Sequence, residues 1–485
     1  MTYSGAQQQT NSPAYVNASS QKQARSLNVV RDLSGGTEVM RDRGEIYLPK
    51  EQGESVTAYD ARKKRTLLFN THNKTLEGLL GIALKKNPDL KEGKGADGKP
   101  DPVPELIRMH WEDIDLAGTS GDIFIKDLFR KIIRDGHAFI FVDMAPPLTS
   151  SITTLSPVPT ALDDQVTGRR PHWVQYTKDQ AINWKSDRIN GETILTQITF
   201  KECATEDDGL YGEKEIVRYR VLRLQVIVPK SPMASAVYGP MEWAVYEEHD
   251  KLKEPIFVNG NVTDLPRIPV VAIYSRRTGF LESDPALLDL AWLNIGHWQQ
   301  WSDLCSQLRM LVPILVIRGT PLEKAPEGDG AKSTSISVGA GATVSFAENS
   351  KDVDCGLEYV SHDGQAIQST REALLDLESR MSAVGLSLIG PKPAENKQAA
   401  TATEKVMDQD ERTSELASWL RQLKDGIEMA LWIHAQYLGL PSGGSIVLGF
   451  DEVDASDEES LMAIDAPKGT PPGNTALPPS SSMIQ

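Results

Sequence analysis

The strongest constraint in this sequence is a helical run held between two prolines. Asp284 is a good N-cap and Pro285 an ideal first helical residue. The run ALLDLAWLNIGHWQQWSDLCSQLRML then continues to Pro313, with Gly296 its one weak point. Leu288, Ala291, Ile295, Trp298, Cys305 and Leu308 approximate one face. A helix over 285–311 would be on the order of 35–40 Å long at ~1.5 Å per residue. That is well beyond the usual globular helix of ~11 residues.

Two further helices follow. Ser369-Thr370-Arg371-Glu372 has the form of a capping box, after which Leu374, Leu377, Met381 and Val384 recur at helical spacing up to Gly385. The last helix carries Leu416, Leu420, Leu423, Ile427, Ala430, His434 and Leu438, and Gly439 and Pro441 close it. Between the first two helices PILVIRG reads as a strand. SISVGAGATVSF alternates around Gly339-Ala340-Gly341 as a hairpin.

The first half of the chain is organised differently. Tyr59, Arg62 and Arg65 lead into Leu67, Leu68, Leu76, Leu79, Leu80 and Leu84 at mixed helical spacing. A polar Gly/Lys/Asp/Pro stretch at 91–102 reads as an exposed loop. GDIFIKDLFRKIIRDG is an amphipathic helix with Gly136 at its C-cap, and HAFIFVDM follows at once as a buried strand. HWVQY, ETILTQITF, VRYRVLRLQVIV, MEWAVYEEH and IPVVAIY suggest an antiparallel sheet over 172–280. Helices followed by strands argue for an α+β chain rather than a doubly wound sheet.

Composition narrows the function. The balance is 67 acidic minus 51 basic residues, a net charge of −16. This argues against tight nucleic-acid binding through a broadly basic surface, and against an anionic membrane as partner. Cys203, Cys305 and Cys355 are far apart, which gives neither a disulfide framework nor a CxxC metal signature. No apolar stretch is long enough to span a bilayer, and the first residues lack a signal-peptide pattern. The expectation is a chain that stays inside a cell or inside something assembled there. Residues 1–25 read as a disordered arm, and 451–485 as an acidic, then Pro/Gly/Ser-rich, disordered tail.

Catalytic patterns are missing. The eight histidines are scattered, with no HExxH and no Cys/His cluster of metal spacing. VGAGATVSF lacks the dinucleotide-binding spacing, no GK[ST] follows a glycine loop, and no GxSxG elbow occurs. ADGKPDP lacks the acidic ligand of a calcium loop. Asp113/Asp115 and Asp207/Asp208 read as solvated surface acids. Trp292, Trp298 and Trp301 read as core or subunit packing rather than a stacking platform, because no Arg or Lys is interleaved with them. The expectation is no enzyme, no cofactor and no metal.

Five spaced segments carry a resemblance. They are YLPK…YDARKKR…FNTHNKTLEGLLG, DLFRKIIRDGHAFIFVD, PHWVQYTKDQAINW, LPRIPVVAIY with the run from Asp284 to Gly319, and TATEKVMDQDERTSELASWLRQLKDGIEMALWIHAQYLGL. In this order, across most of 45–440, they resemble the portal proteins of tailed bacteriophages, in a branch often labelled a domain of unknown function.

The resemblance implies a portal-type subunit with an α/β wing, long stem helices, a small β-containing clip and a C-terminal helical crown. Laid on this sequence, the wing is 26–283, the stem helices 284–311 and 366–385, and the clip 312–365. The tunnel loop is 386–402 and the crown 403–450. It implies a homo-oligomeric ring, usually of twelve subunits, at one capsid vertex. Double-stranded DNA passes through the ring. The partners are the major capsid protein, the terminase large subunit and a head-tail adaptor or tail protein, with no membrane. An acidic conduit suits DNA that must keep sliding. On that basis Lys392, Lys397, Glu372 and Asp376 are the DNA-channel candidates. Leu374, Leu377, Met381, Val384, Trp292 and Trp298 are the subunit-packing candidates. The alternatives are another structural virion protein, such as a head-tail adaptor or minor head protein, and a hydrolase using acidic residues.

Overall fold

The computed structural model describes residues 11–94, 100–144, 169–189, 191–229, 236–249, 254–263, 265–310, 314–318, 356–360, 365–385 and 402–448. The helices are α1 (Ala18–Ser34), α2 (Gly36–Arg43), α3 (Val56–Arg65), α4 (Thr71–Ala83), α5 (Glu105–Trp111), α6 (Gly121–Asp135), α7 (Leu288–Met310), α8 (Gln365–Val384) and α9 (Ala402–Tyr437). The strands are β1 (Asp89–Lys91), β2 (Gly93–Lys94), β3 (Pro100–Asp101), β4 (His137–Met144), β5 (Pro171–Thr177), β6 (Ala181–Ile189), β7 (Glu192–Asp208) and β8 (Gly212–Val228). After these come β9 (Val237–Glu247), β10 (Ile256–Thr263), β11 (Val270–Tyr274), β12 (Arg277–Gly279), β13 (Glu282–Ser283), β14 (Ile314–Arg318), β15 (Gly356–Val360) and β16 (Ser445–Val447). The fold is α+β. It divides into two compact units, neither continuous in sequence. One comprises Met1–Asn28, Leu76–Ala286 and Pro393–Gln485, and the other Val29–Thr75 and Leu287–Lys392.

In the first unit, α6 buries Phe124, Ile125, Leu128, Phe129, Ile132 and Ile133 and turns Ile123 and Lys126 outward. Gly136 ends it at φ +98°, donating its N–H to the Ile132 carbonyl. A Cβ there would come within 2.5 Å of Ser283 Oγ and 2.7 Å of the Asp284 carbonyl oxygen. Both backbone geometry and space therefore require glycine. β4 then runs through the centre of a three-stranded antiparallel sheet, ordered β11–β4–β5. Strands β6 to β10 form a second antiparallel sheet in which each strand pairs with its sequence neighbour. Phe139 and Phe141 of β4 join Tyr176, Ile198, Phe200, Leu222 and Met241 in one apolar cluster. Within it Tyr176 stacks on Phe200 at 3.9 Å between ring centroids.

α9 packs on β4, β5 and β11. Its Gly426 lies so close to β11 that a Cβ would meet Ile273 Cγ1 at 2.4 Å. The chain then pairs β16 with β1, Leu90 opposite Ile446. Residues 403–450 are assigned from the sequence to a crown; their described part, up to 448, falls in the same compact unit as 76–286.

Three local expectations are corrected. Residues 18–25, read as part of a disordered arm, are helical. Asn17 Oδ1 accepts from the Ser20 N–H at 2.7 Å, and Gln23 bonds the Leu281 carbonyl and the Ser283 N–H. Their polar composition hid partners far along the chain. The loop at 91–102 contains paired strands, β2 with β3. Asp284 is no N-cap, and the helix begins at Leu288. The Asp284 and Ala286 N–H groups are instead bonded to the Arg276 and Ile133 carbonyls.

In the second unit α7 and α8 run antiparallel. A Cβ on Gly385 would meet Leu290, while His297 pairs with Glu378, so rising numbers on one helix meet falling numbers on the other. β14 and β15 pair antiparallel, Ile314 opposite Val360. α8 starts at Gln365, so the Ser369 box lies inside the helix. The hairpin expected around 339–341 lies outside the described residues, as do 386–401 of the tunnel loop and the C-terminal tail. Gly136→Ala should destabilise the protein by more than about 1 kcal/mol in denaturant melts, since the new side chain is strained and crowded at once.

Candidate functional site

α7 buries the polar residues Asn294, His297 and Ser302, and each of these three bonds to another element. Asn294 accepts from the His72 N–H at 3.0 Å and donates to the Phe69 carbonyl at 2.9 Å. It thereby satisfies an otherwise orphaned donor in the first turn of α4. Ser302 lies 3.3 Å from an Arg62 guanidinium nitrogen and 3.1 Å from Thr66 Oγ1. Arg62 in turn donates twice to Glu54, at 2.9 Å each. These hydrogen bonds hold the Glu54 carboxyl below its ordinary pKa, while burial opposes the shift. His297 Nε2 meets Glu378 Oε1 at 3.1 Å and so joins α7 to α8. Removing one partner of such a pair leaves a buried charge or dipole unmet, which is why these groups act as registers between elements.

The sequence candidates on these helices separate into two groups. Leu374, Met381 and Trp298 are buried within the chain and Leu377 is half-buried. The side chains of Leu374, Met381 and Trp298 are thus covered within the chain itself, and for Trp298 this is the core alternative of the sequence reading. Trp292 and Val384 are exposed. Glu372 and Asp376 are also exposed on α8; Glu372 accepts from Gln368, and Asp376 pairs with Arg380 at 2.8 Å. Lys392 and Lys397 lie outside the described residues.

The first unit holds a buried histidine group that chain spacing concealed. His110 Nδ1 of α5 and His434 Nε2 of α9 lie 2.9 Å apart, one donating and the other accepting. Trp173 packs edge-on against His434. His172 of β5, Arg170 and Asp143 of β4 surround them electrostatically. Burial pushes the His434 pKa down to about 3, with His110 and Arg170 adding to the shift. Burial also lowers His110 and His172. The sequence signal for this pair was the apolar register of His434 with Leu420, Leu423 and Ile427.

A second trio has nucleophile-like chemistry. His137 Nδ1 lies 2.6 Å from Ser283 Oγ, and Lys178 Nζ donates to the Ser283 carbonyl at 2.5 Å. Ser283 is only 1% exposed, so its hydroxyl is buried. The trio instead ties β4, β13 and the turn after β5 together. Among the described residues, no three His, Cys, Asp or Glu side chains converge to hold a metal ion. Among the same residues no helix is long and apolar enough to cross a membrane.

A family model described as a domain of unknown function (DUF4055) matches residues 286–438, which takes in α7, α8 and α9. No curated protein matches the chain. Among solved structures, the chain is similar to one from the virion of a native gene transfer agent (GTA) particle. The two are 12% identical, with 89% of this chain and 96% of that chain covered and a TM-score of 0.37.

The histidines make stability pH-dependent with a definite sign. His434 stays neutral in the fold down to about pH 3, whereas unfolded histidine binds a proton near 6.5. The unfolded state therefore binds more protons between these values, and stability falls as pH drops below 6.5. From pH 6.5 to 5, His434 should account for a loss on the order of 2 kcal/mol. His434→Gln should flatten the pH dependence of denaturant unfolding by about that amount.

Proposed function

We propose that this chain is the subunit of a portal ring at one vertex of a phage-type capsid, through which double-stranded DNA is packaged and ejected. The observation that carries the reading is the antiparallel α7–α8 pair with the β14–β15 ribbon between its helices in sequence. This is the order stem, clip, stem that the portal resemblance places on residues 284–385. The spread of resembling segments over 45–440 supports it further. So do the buried polar groups of the described residues, whose hydrogen bonds hold elements together. On this reading the protein is no enzyme.

A conduit has to avoid holding what it conducts. Exposed Glu372 and Asp376 on α8 suit a wall that repels phosphate within a Debye length of ~8–10 Å. Lys392 and Lys397 serve as the phosphate-touching residues of the segment after α8. The partners are identical subunits, capsid protein, the packaging motor and then the adaptor or tail, and the protein resides in the virion.

Native mass spectrometry should find a species near twelve times 53.3 kDa, with a central hole in electron micrographs. A stable monomer under assembly conditions would sink the reading. Lys392→Ala combined with Lys397→Ala should impair DNA packaging or retention while rings still form. Loss of ring assembly in that variant would make this segment a structural contact instead.

A further inference from the structure

The β7–β8 hairpin ends in the most exposed apolar pair among the described residues. Its strands pair from Gln197–Arg223 out to Asp208–Gly212. At the tip Leu210 is 84% and Tyr211 96% exposed. A large apolar pair held at the end of a rigid ribbon is costly to leave in water and is the kind of feature that marks an interaction site. Its surroundings are acidic: Glu206, Asp207, Asp208, Glu213 and Glu215 flank it, with Lys214 beside them and Arg218 paired to Glu206 at 2.6 Å. Such a tip repels DNA and anionic lipid alike, so its partner must be basic and apolar.

The chain carries a surface of that chemistry. α3 ends in Arg62, Lys63, Lys64 and Arg65, and its C-cap Thr66 is extended. Arg62 is committed to Glu54, and Lys63 lies 3.8 Å from Asp60. Lys64 and Arg65 are exposed, and Arg41 is drawn to the same helix end by its bond to the Lys64 carbonyl at 2.5 Å. Immediately beyond them, Leu67 is 60% and Phe69 52% exposed. Half-buried Leu68 lies between them. Basic residues beside an exposed apolar pair complement acidic residues around an exposed apolar pair.

We infer that the Leu210–Tyr211 tip of one copy docks on the Lys64–Phe69 strip of a second copy. Tip and strip are different surfaces, so the contact is heterologous: the first copy keeps a free strip and the second a free tip. Repetition gives a closed ring or an open filament, and the ring reading of the preceding subsection requires closure. Tyr211 supplies the apolar anchor, and Asp207 and Asp208 steer it toward Lys64 and Arg65.

The test uses the full-length chain. Asp207→Lys with Asp208→Lys should lower the association rate by about tenfold or more, as should Lys64→Glu with Arg65→Glu. The chain carrying all four substitutions should recover assembly, because the pairing of 207 and 208 with 64 and 65 is then restored with its signs exchanged. Leu210→Ser with Tyr211→Ser should weaken association by at least about tenfold with no rescue by charge. Unchanged circular dichroism and melting temperature of each variant exclude misfolding. Carbodiimide cross-linking of a mixture of isotopically light and heavy chains should join Asp207 or Asp208 of one copy to Lys63 or Lys64 of another. Cross-links without a closed ring would uphold the contact and overturn the ring. Rings that form at the wild-type rate in both charge variants, with no such cross-link, would overturn the contact and leave the ring reading standing. Failure of the four-substitution chain to recover assembly would also overturn it.

Discussion

β4 is buried from His137 to Val142, and a strand with no wet face must be covered on both sides. The first unit follows from that demand. Phe139 and Phe141 face the apolar cluster shared with the five-stranded sheet, while α6 and α9 also pack on the strand. The strand can begin only because Gly136 turns the chain out of α6 where no side chain would fit. A strand that needs α9 as cover draws residues from beyond 402 back to residues near 140, and so makes the unit discontinuous.

The second unit meets a different constraint. α7 is long but not cleanly amphipathic, since Asn294, His297 and Ser302 are buried among Ala291, Ile295 and Trp298. Each of these polar groups is matched by a group from 47–75 or from α8, and those matches set register where apolar packing alone would tolerate sliding. In the first unit, buried titratable groups such as His137 and His434 are shifted toward their neutral forms by desolvation.

The charge of −16 takes on a more local meaning. It is concentrated at places such as the β7–β8 tip, while the end of α3 is basic. An acidic total with segregated patches is compatible with self-association, because attraction between identical chains depends on the pairing of patches and not on the sum.

Periodicity and punctuation in the sequence determined most of the elements: the amphipathic face of α6, its glycine stop, the buried β4 run, the strands β5, β7, β8, β9 and β11 but not the edge strands β6 and β10, and the three long C-terminal helices. These are local properties, set by 3.6- and 2-residue repeats and by the backbone demands of Gly and Pro. Only the tertiary structure decided which side chains still face water. Leu374, Met381 and Trp298 resemble Val384 and Trp292 in sequence, yet the first three are spent inside the chain and the last two are exposed. It alone brought His110 to His434 and made Gln23 a partner of the turn at 281–283. Contacts of that kind join residues hundreds of positions apart, and a linear pattern holds no record of them, because burial depends on what other segments supply.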